Sequence, residues 1–326
     1  MIVYQATCFP IRGLRANSIT GTYVRTTAID RLIHGFLESE DKGARQIISL
    51  GAGSDTRFFR LKQQMPDVPL LYHELDFSSN AAAKIRQLLL PPIVQSVRSL
   101  CGIDLRESIT SVSSVGGGEK DSLDWTAGKS AYHIHPVDLR SLRRTSEPAK
   151  LDEKRFSTWG ISTDVPTLIL SECCLIYLPP DDADSVLSYL TEAFSTTTPI
   201  AVVIYEPIRP NDAFGRTMVS NLTARGIHLQ TLHAHDTLAA QRKRLRDHGI
   251  GEPAADGGAE AADVDFLWER WIEERERERV ERLEWMDEVE EWKLLARHYA
   301  VAWGWRDCGS NVFRTWRNLA VQTEDE

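Results

Sequence analysis

At 326 residues the chain is long enough to bury a substantial core, and it suits one large α/β domain or one domain with an insertion. Its 42% hydrophobic and 26% charged residues are ordinary globular composition, and no apolar run reaches the length of a membrane span. A formal net charge of −9 disfavours a general nucleic-acid binder, while five scattered cysteines without a CxxC pair disfavour a disulfide scaffold or structural zinc and fit a reducing, cytoplasmic setting.

Residues 1–29 contain Arg12, Arg15 and Arg25 but no Asp or Glu, a pattern shared with mitochondrial presequences. Weak amphipathicity and Pro10 favour an irregular or truncated segment over 1–20 instead. QIISLG, ending at Gly51, reads as a β-branched strand, and PLLYHELD as a second strand closing on Asp76. A helical stretch over Ala81 to Leu90 should stop at Pro91 and Pro92. Residues 110–120, with three consecutive glycines, read as a loop. SAYHIHPVD, PTLILSEC and PIAVVIYEP follow as strands, with helical segments such as Ala183 to Phe194 between them. Several of these runs are continuously apolar, as strands buried on both faces must be. The alternation predicts a doubly wound, mostly parallel α/β sheet with helices on both faces.

Later segments are less regular. RKRLR (Arg242 to Arg246) reads as the outer face of a helix, and Gly249 to Ala262 as a Gly- and Ala-rich loop. Asp263 to Arg297 reads as charged helix, with Glu–Arg pairs three or four apart on a solvated face. HYAVAWGW can close the sheet, and the tryptophans from Trp268 to Trp305 should pack helix on sheet. The last six residues, 321–326, form an acidic tail.

Candidate site residues gather where such sheets bind ligands, beyond the carboxyl ends of the strands. Gly51-Ala-Gly53 allows a tight turn and close backbone approach, but position 56 is Thr rather than the third glycine of GxGxxG, and a Walker lysine is missing. Alone it marks either a cofactor loop or an ordinary strand-to-helix turn. Asp76 can accept from both hydroxyls of a ribose, or cap a helix. Asp138 can meet an adenine amino group while Leu139 packs on the ring, or again serve as a cap. Glu172 can pair with a cationic amine or sulfonium, or be a buried structural acid. His133-x-His135 shares one strand face without an evident third ligand, so no metal is expected, and Cys173-Cys174 has no sequence-adjacent His to activate it.

LGAGSDTRFFRL, the acid of HELDF, VDLRSL, and SECCLIYL followed by VIYEPIRPNDAFGRTMVSNL together resemble the leucine carboxyl methyltransferase family, as do GTYVRTTAIDRLI and LEWMDEVEEWKLLARHYAVAWG. The resemblance runs from about Gly21 to Trp305 and implies a methyltransferase domain over 21–320, with an insertion around 249–297. It implies a seven-stranded sheet, six strands parallel and one antiparallel, that uses S-adenosylmethionine. The reaction implied is esterification of the C-terminal leucine α-carboxylate of the protein phosphatase 2A catalytic subunit by a monomeric enzyme. By the same resemblance Arg25, Gly51, Gly53, Asp76, Asp138, Leu139 and Glu172 are cofactor residues, and Arg25 and Tyr177 hold the acceptor carboxylate. The family carries a longer region, with a cofactor-binding lysine, ahead of GTYVR, whereas here no lysine precedes Lys42. An inactive protein that grips the phosphatase tail is therefore one alternative. A related carboxyl methyltransferase acting on wybutosine in tRNA is another, disfavoured by the acidic balance, and an NAD-dependent dehydrogenase is more distant still.

Overall fold

The computed structural model describes residues 15–39, 42–105, 122–142, 155–283 and 289–323. The expected loop at 110–120, most of the 1–20 segment and the end of the acidic tail lie outside them. Helix α1 (Arg15–Leu37) begins ahead of Gly21. The chain continues through β1 (Arg45–Leu50), α2 (Arg57–Gln64), β2 (Leu70–Asp76), α3 (Ser78–Leu88) and α4 (Pro91–Cys101). Then come β3 (Leu123–Ala127), β4 (Ser130–Pro136), β5 (Thr167–Glu172), α5 (Pro180–Glu192), β6 (Ile200–Pro207), α6 (Ala213–Thr223) and α7 (Leu238–Asp247). β7 (Gly258–Asp263), α8 (Val264–Trp271), α9 (Glu274–Leu283), α10 (Val289–Ala296) and β8 (Tyr299–Arg306) complete it.

The strands form one sheet in the order β3-β4-β2-β1-β5-β6-β8-β7. β1 pairs in parallel with β2 on one side and β5 on the other, so the winding reverses between β1 and β5. β8 runs antiparallel to both β6 and β7. That leaves β1, β2, β4, β5, β6 and β7 pointing one way, the expected six, with β8 opposed. β3 is an eighth strand that the sequence reading lacked. It pairs antiparallel with β4 through a two-residue turn at Gly128-Lys129, where Gly128 takes φ +58°.

The central strands are buried along their whole length because both faces are covered. In β5, Leu168 and Leu170 join one apolar core while Ile169 joins the other, and β1 divides Ile47 from Ile48 in the same way. Each such fully buried aliphatic side chain contributes about 1.5–3 kcal/mol. The tryptophans do pack helix on sheet: Trp271 of α8 meets Trp303 of β8 edge to face at 5.0 Å.

The helix before Pro91 and Pro92 does stop, α3 ending at Leu88, and the two prolines then open α4, where a missing N–H costs nothing. Two expectations need correcting. Gly249–Ala262 is not all loop, since Gly258–Asp263 forms β7. Its small residues are a packing requirement rather than a loop signal: the Trp305 indole lies where a Gly258 Cβ would go, and Ala259 and Ala261 share a core with Leu245 and Ile250. In the RKRLR run, Arg244 points inward and pairs at 3.0 Å with Glu206, both almost fully buried. The charged helix α9 behaves as expected, with exposed Arg279–Glu276 and Arg282–Glu278 pairs.

His73 of β2 stacks on His133 (4.8 Å) and on His135 (5.5 Å) of β4, and a 3.2 Å hydrogen bond joins His73 Nδ1 to His135 Nε2. Burial, with His133 nearby, holds the His135 imidazole down at about 3, and burial with its two neighbours lowers His73 well below the usual range. The unfolded chain therefore binds more protons below pH 6.5, so this contribution is complete above 6.5 and is lost as pH falls from 6.5 toward about 3. His135→Phe should flatten the fall of unfolding free energy with pH in that window by up to about 1.4 kcal/mol per pH unit. An unchanged slope in urea melts between pH 6.5 and 4.5 would remove His135 from acid lability.

The Gly258 site is tested separately. A Cβ there would lie 2.3 Å from the Trp305 ring. Gly258→Ala should cost about 1–3 kcal/mol by overpacking, and a melt matching wild type would mean that β7 does not sit against Trp305.

Candidate functional site

The winding reverses between β1 and β5, and the crevice beyond their carboxyl ends is walled by what the chain does after each strand. After Leu50 the backbone turns through Gly51 (φ +60°) and Gly53 (φ +49°) before α2 begins. Gly51 is required twice over: only glycine adopts that φ cheaply, and a Cβ would meet Cys174 Sγ at 2.5 Å. Cys174 follows β5, so the glycine lets the β1 loop close directly onto the β5 loop. Cys173 itself sits at φ +48°. Burial, reinforced by the Asp76 and Glu206 carboxylates, pushes the Cys174 thiol far up, so it stays protonated and packs rather than attacks.

The crevice widens into a cavity of about 740 Å³ whose wall includes Gly51, Gly53, Asp76, Leu139 and Tyr177. Five of the sequence-derived candidates are thus brought together. Asp76 ends β2 and is almost buried. Its Oδ2 accepts from the Gly53 N–H at 2.7 Å, and its Oδ1 accepts from Phe77 N–H at 2.7 Å and Asn80 Nδ2 at 2.9 Å. These bonds lock the carboxylate to the glycine loop and to the start of α3. A carboxylate has about four acceptor positions, so capacity remains for a ligand. Leu139 opens a single 3-10 turn and offers an apolar surface to the same space. Tyr177 is 45% exposed at the mouth, and its backbone carbonyl accepts from Gln230 Nε2 at 2.5 Å.

The other three candidates are placed differently. Asp138 caps the 3-10 turn through Arg140 N–H, and its carboxylate takes the Arg140 guanidinium at 2.7 Å. Arg140 in turn lies over the Phe77 ring at 5.8 Å, across the cavity mouth. Glu172 and Arg25 do not appear on the wall. They pair with each other, Arg25 Nε donating to Glu172 Oε2 at 2.8 Å, directly behind Cys173. The Arg25 guanidinium also lies over the Tyr205 ring at 4.6 Å. Glu172 Oε1 forms a second ion pair, with Arg57 at 2.7 Å. Burial by itself would raise the Glu172 carboxyl, but the Arg57 and Arg25 guanidiniums outweigh it and hold it well below the carboxylate range. Glu172 is therefore an ionised acid already committed to two arginines rather than one awaiting a cationic ligand.

Sequence reasoning missed Lys84, a wall residue whose ammonium donates to the Asp55 carbonyl (2.7 Å) and pairs with Glu74 (2.5 Å). The available signal was its place one turn after Asn80 on the face of α3 that meets the cavity. Burial, only partly offset by Lys84, raises the Glu74 carboxyl to about 7. The site as a whole can hold a ligand with hydroxyls near Asp76 and an apolar ring near Leu139. Among the described residues no cluster of three or more His, Cys, Asp or Glu is arranged to hold a metal ion.

The family profile and the curated relatives agree on one family. The family profile described as "Leucine carboxyl methyltransferase" matches residues 12–191. Curated relatives named leucine carboxyl methyltransferase 1 include that of Emericella nidulans, 51% identical across 94% of this chain and 78% of the relative. The Aspergillus fumigatus protein is 48% identical (94% and 77% covered) and the Schizosaccharomyces pombe protein 38% identical (86% and 79%). Among solved structures, an O-methyltransferase family protein from Burkholderia thailandensis aligns with TM-score 0.44 at 11% identity, covering 90% of this chain and 59% of that one. Phosphoethanolamine N-methyltransferase 2 of Haemonchus contortus, solved in complex with S-adenosyl-L-methionine, also gives 0.44 at 11% identity, with 90% and 57% covered.

The contact of Gly51 with Cys174 is directly testable. Gly51→Ala should lower stability by about 1–3 kcal/mol through backbone strain and overlap with sulfur. Adding Cys174→Ala removes the sulfur but not the strain, so it should recover part of the loss; a double variant as unstable as the single one would mean that the two loops do not touch there.

Proposed function

We propose that this chain, which belongs to the leucine carboxyl methyltransferase family, transfers the methyl group of S-adenosylmethionine to the α-carboxylate of a C-terminal leucine. The acceptor in this reading is the tail of a protein phosphatase 2A catalytic subunit, met in the cytoplasm by a monomeric enzyme. The observation that carries it is the convergence on one cavity of the glycine loop, Asp76 and Leu139.

The residues present suit the cofactor. Asp76, fixed by three hydrogen bonds, faces the cavity with acceptor capacity suited to a ribose diol. Leu139 supplies the apolar face for adenine, and Gly51 and Gly53 let the ligand approach the backbone closely. Asp138 would reach the adenine amino group once Arg140 turns aside, a surface pair worth only about 0–1 kcal/mol. When bound, the cofactor supplies an electrophilic methyl on a sulfonium.

The protein's own part is orientation. A terminal α-carboxylate titrates near ~3.5 and is anionic at neutral pH, so no general base is required. Arg25 holds that carboxylate through its planar fork, and Tyr177 donates one further hydrogen bond from the mouth. Holding the two reactants in line can supply about 7–11 kcal/mol of the barrier. Because Arg25 already shares its charge with Glu172, it positions the acceptor without fully neutralising it, which preserves nucleophilicity.

Labelled methyl transfer to intact phosphatase core enzyme tests the reading. Base-labile label on the catalytic subunit, lost when its terminal leucine is removed, is the expected result; tail binding without label supports a non-catalytic binder. Arg25→Met should lower kcat/KM about 10- to 150-fold, the worth of a charged hydrogen-bond pair. The fold should survive, because Arg57 still compensates Glu172. Wild-type turnover in that variant would remove Arg25 from the acceptor site.

A further inference from the structure

The loop from Gly51 to Thr56 has a cavity on each side. Gly51, Gly53 and Ser54 wall the one already described, while Ser54, Asp55 and Thr56 wall a second, also of about 740 Å³, that reaches to α4. On those two sides the loop is not backed by packed protein, so its shape depends on polar ties. Two short ones come from Asp76 and the helix that follows it. Asp76 Oδ2 accepts from the Gly53 N–H at 2.7 Å, and Lys84 Nζ donates to the Asp55 carbonyl at 2.7 Å. Lys84 borders both cavities, yet it is only 6% exposed. Its ammonium is aimed by Glu74 of β2, whose Oε2 lies 2.5 Å away and whose Oε1 accepts from Tyr132 of β4 at 2.9 Å.

We propose that Lys84 is a positioning residue for the cofactor: by pinning the Asp55 carbonyl, it holds the glycine loop against Asp76 in the shape that receives the nucleotide. This rests on the reading of the first cavity as the S-adenosylmethionine site. A single tie at Gly53 would leave a pivot, because glycine turns at low cost, and the second cavity gives the loop room to retreat. A second tie two residues further on removes that freedom. The Asp55 carboxylate does not provide it. Arg57 holds that group at 2.6 Å and so ties the loop to α2, not to the side that carries Asp76. Tyr72 of β2 reaches the same carboxylate only at 3.4 Å, a weak bond. A loop already in its binding shape raises the competent fraction of the protein, and affinity rises with that fraction. Even with Lys84 in place, burial raises the Glu74 carboxyl to about 7. Without Lys84 this acid takes up a proton instead of standing as a buried anion. Affinity and stability can therefore be separated by experiment.

The test uses the full chain with Lys84→Met, Glu74→Gln and the double variant, and reads the calorimetric Kd for S-adenosylmethionine beside the melting temperature. Glu74→Gln keeps Lys84 and an acceptor for it, so its Kd should stay within about threefold of wild type. Lys84→Met should weaken binding about tenfold or more, the worth of a charged hydrogen bond. The double variant strands no acid, so it should melt above Lys84→Met while its Kd stays as weak. Recovery of affinity along with stability would show that Lys84 only compensates Glu74 and would overturn the proposal, as would wild-type binding in Lys84→Met. Amide exchange supplies a readout that needs no ligand. The Gly53 and Asp55 N–H groups should exchange about tenfold faster in the double variant than in Glu74→Gln, while Ile48 of β1 is unchanged. Equal exchange at the loop overturns the proposal. That comparison holds even if the wild type binds no S-adenosylmethionine, an outcome that sinks the cofactor reading of the cavity instead. Should Lys84→Met fail to fold, the double variant set against Glu74→Gln carries both readouts, and equal Kd and equal exchange in that pair overturn the proposal.

Discussion

A carboxylate taken out of water at the end of β5 has to be met by cations, and Glu172 is met by two. Removing an ion from water costs several kcal/mol even after relaxation, and leaving one buried and unpaired costs about 3–5 kcal/mol. Arg25 comes from α1, before β1, and Arg57 comes from α2, after it. The ion pairs therefore tie the helices on either side of the first strand to the end of the fifth, across the point where the sheet reverses its winding. The acid thereby adds a polar tie at this junction to the apolar packing of Val24, Ala28, Ile29 and Leu32 that seats α1 in the core. The close approach of Gly51 to Cys174 belongs to the same junction, since neither loop can retreat while both are bound to it.

The parts of the fold that were legible in the sequence are those whose local pattern and tertiary role coincide. β5 and β6 are buried on both faces, so near-continuous apolar runs announced them. β7 was hidden because its neighbours are large: a strand under Trp305 and against Leu245 and Ile250 must be built from Gly and Ala, which alone resemble a loop. The break after α3 was legible in Pro91 and Pro92, but α4 beyond it was not, since proline ends one helix and starts another with equal ease.

The site divides along the same line. Gly51, Asp76, Leu139 and Tyr177 were legible because strand ends in a doubly wound sheet converge, so position in the sequence already implies position in space. Glu172 was legible as an important acid but not as a shared one, because its partners lie 147 residues away in α1 and in α2 beyond the loop. Arg57 looked like an ordinary first-turn residue. Helical periodicity gives the face of α2 that it occupies, but nothing local gives the three carboxylates gathered there. Asp138 shows the opposite case: its partner Arg140 is two residues away, and the local bond now holds the group that the ligand would need.

The two kinds of ion pair also differ in what they can do. Asp138 and Arg140 are each about half exposed, so the bond between them is screened, cheap to break and suited to a group that must yield to a ligand. Glu172, Arg25 and Arg57 are largely shielded, and each depends on the others for compensation, so none can move without exposing the rest. The site thus joins a yielding rim, where the nucleotide half of a cofactor would enter, to a rigid edge where an acceptor carboxylate would be held. In the reaction proposed above, which would need no proton transfer and would gain its rate from alignment, rigidity would belong at the group that meets the acceptor. Sharing one acid between two arginines is a means of supplying it.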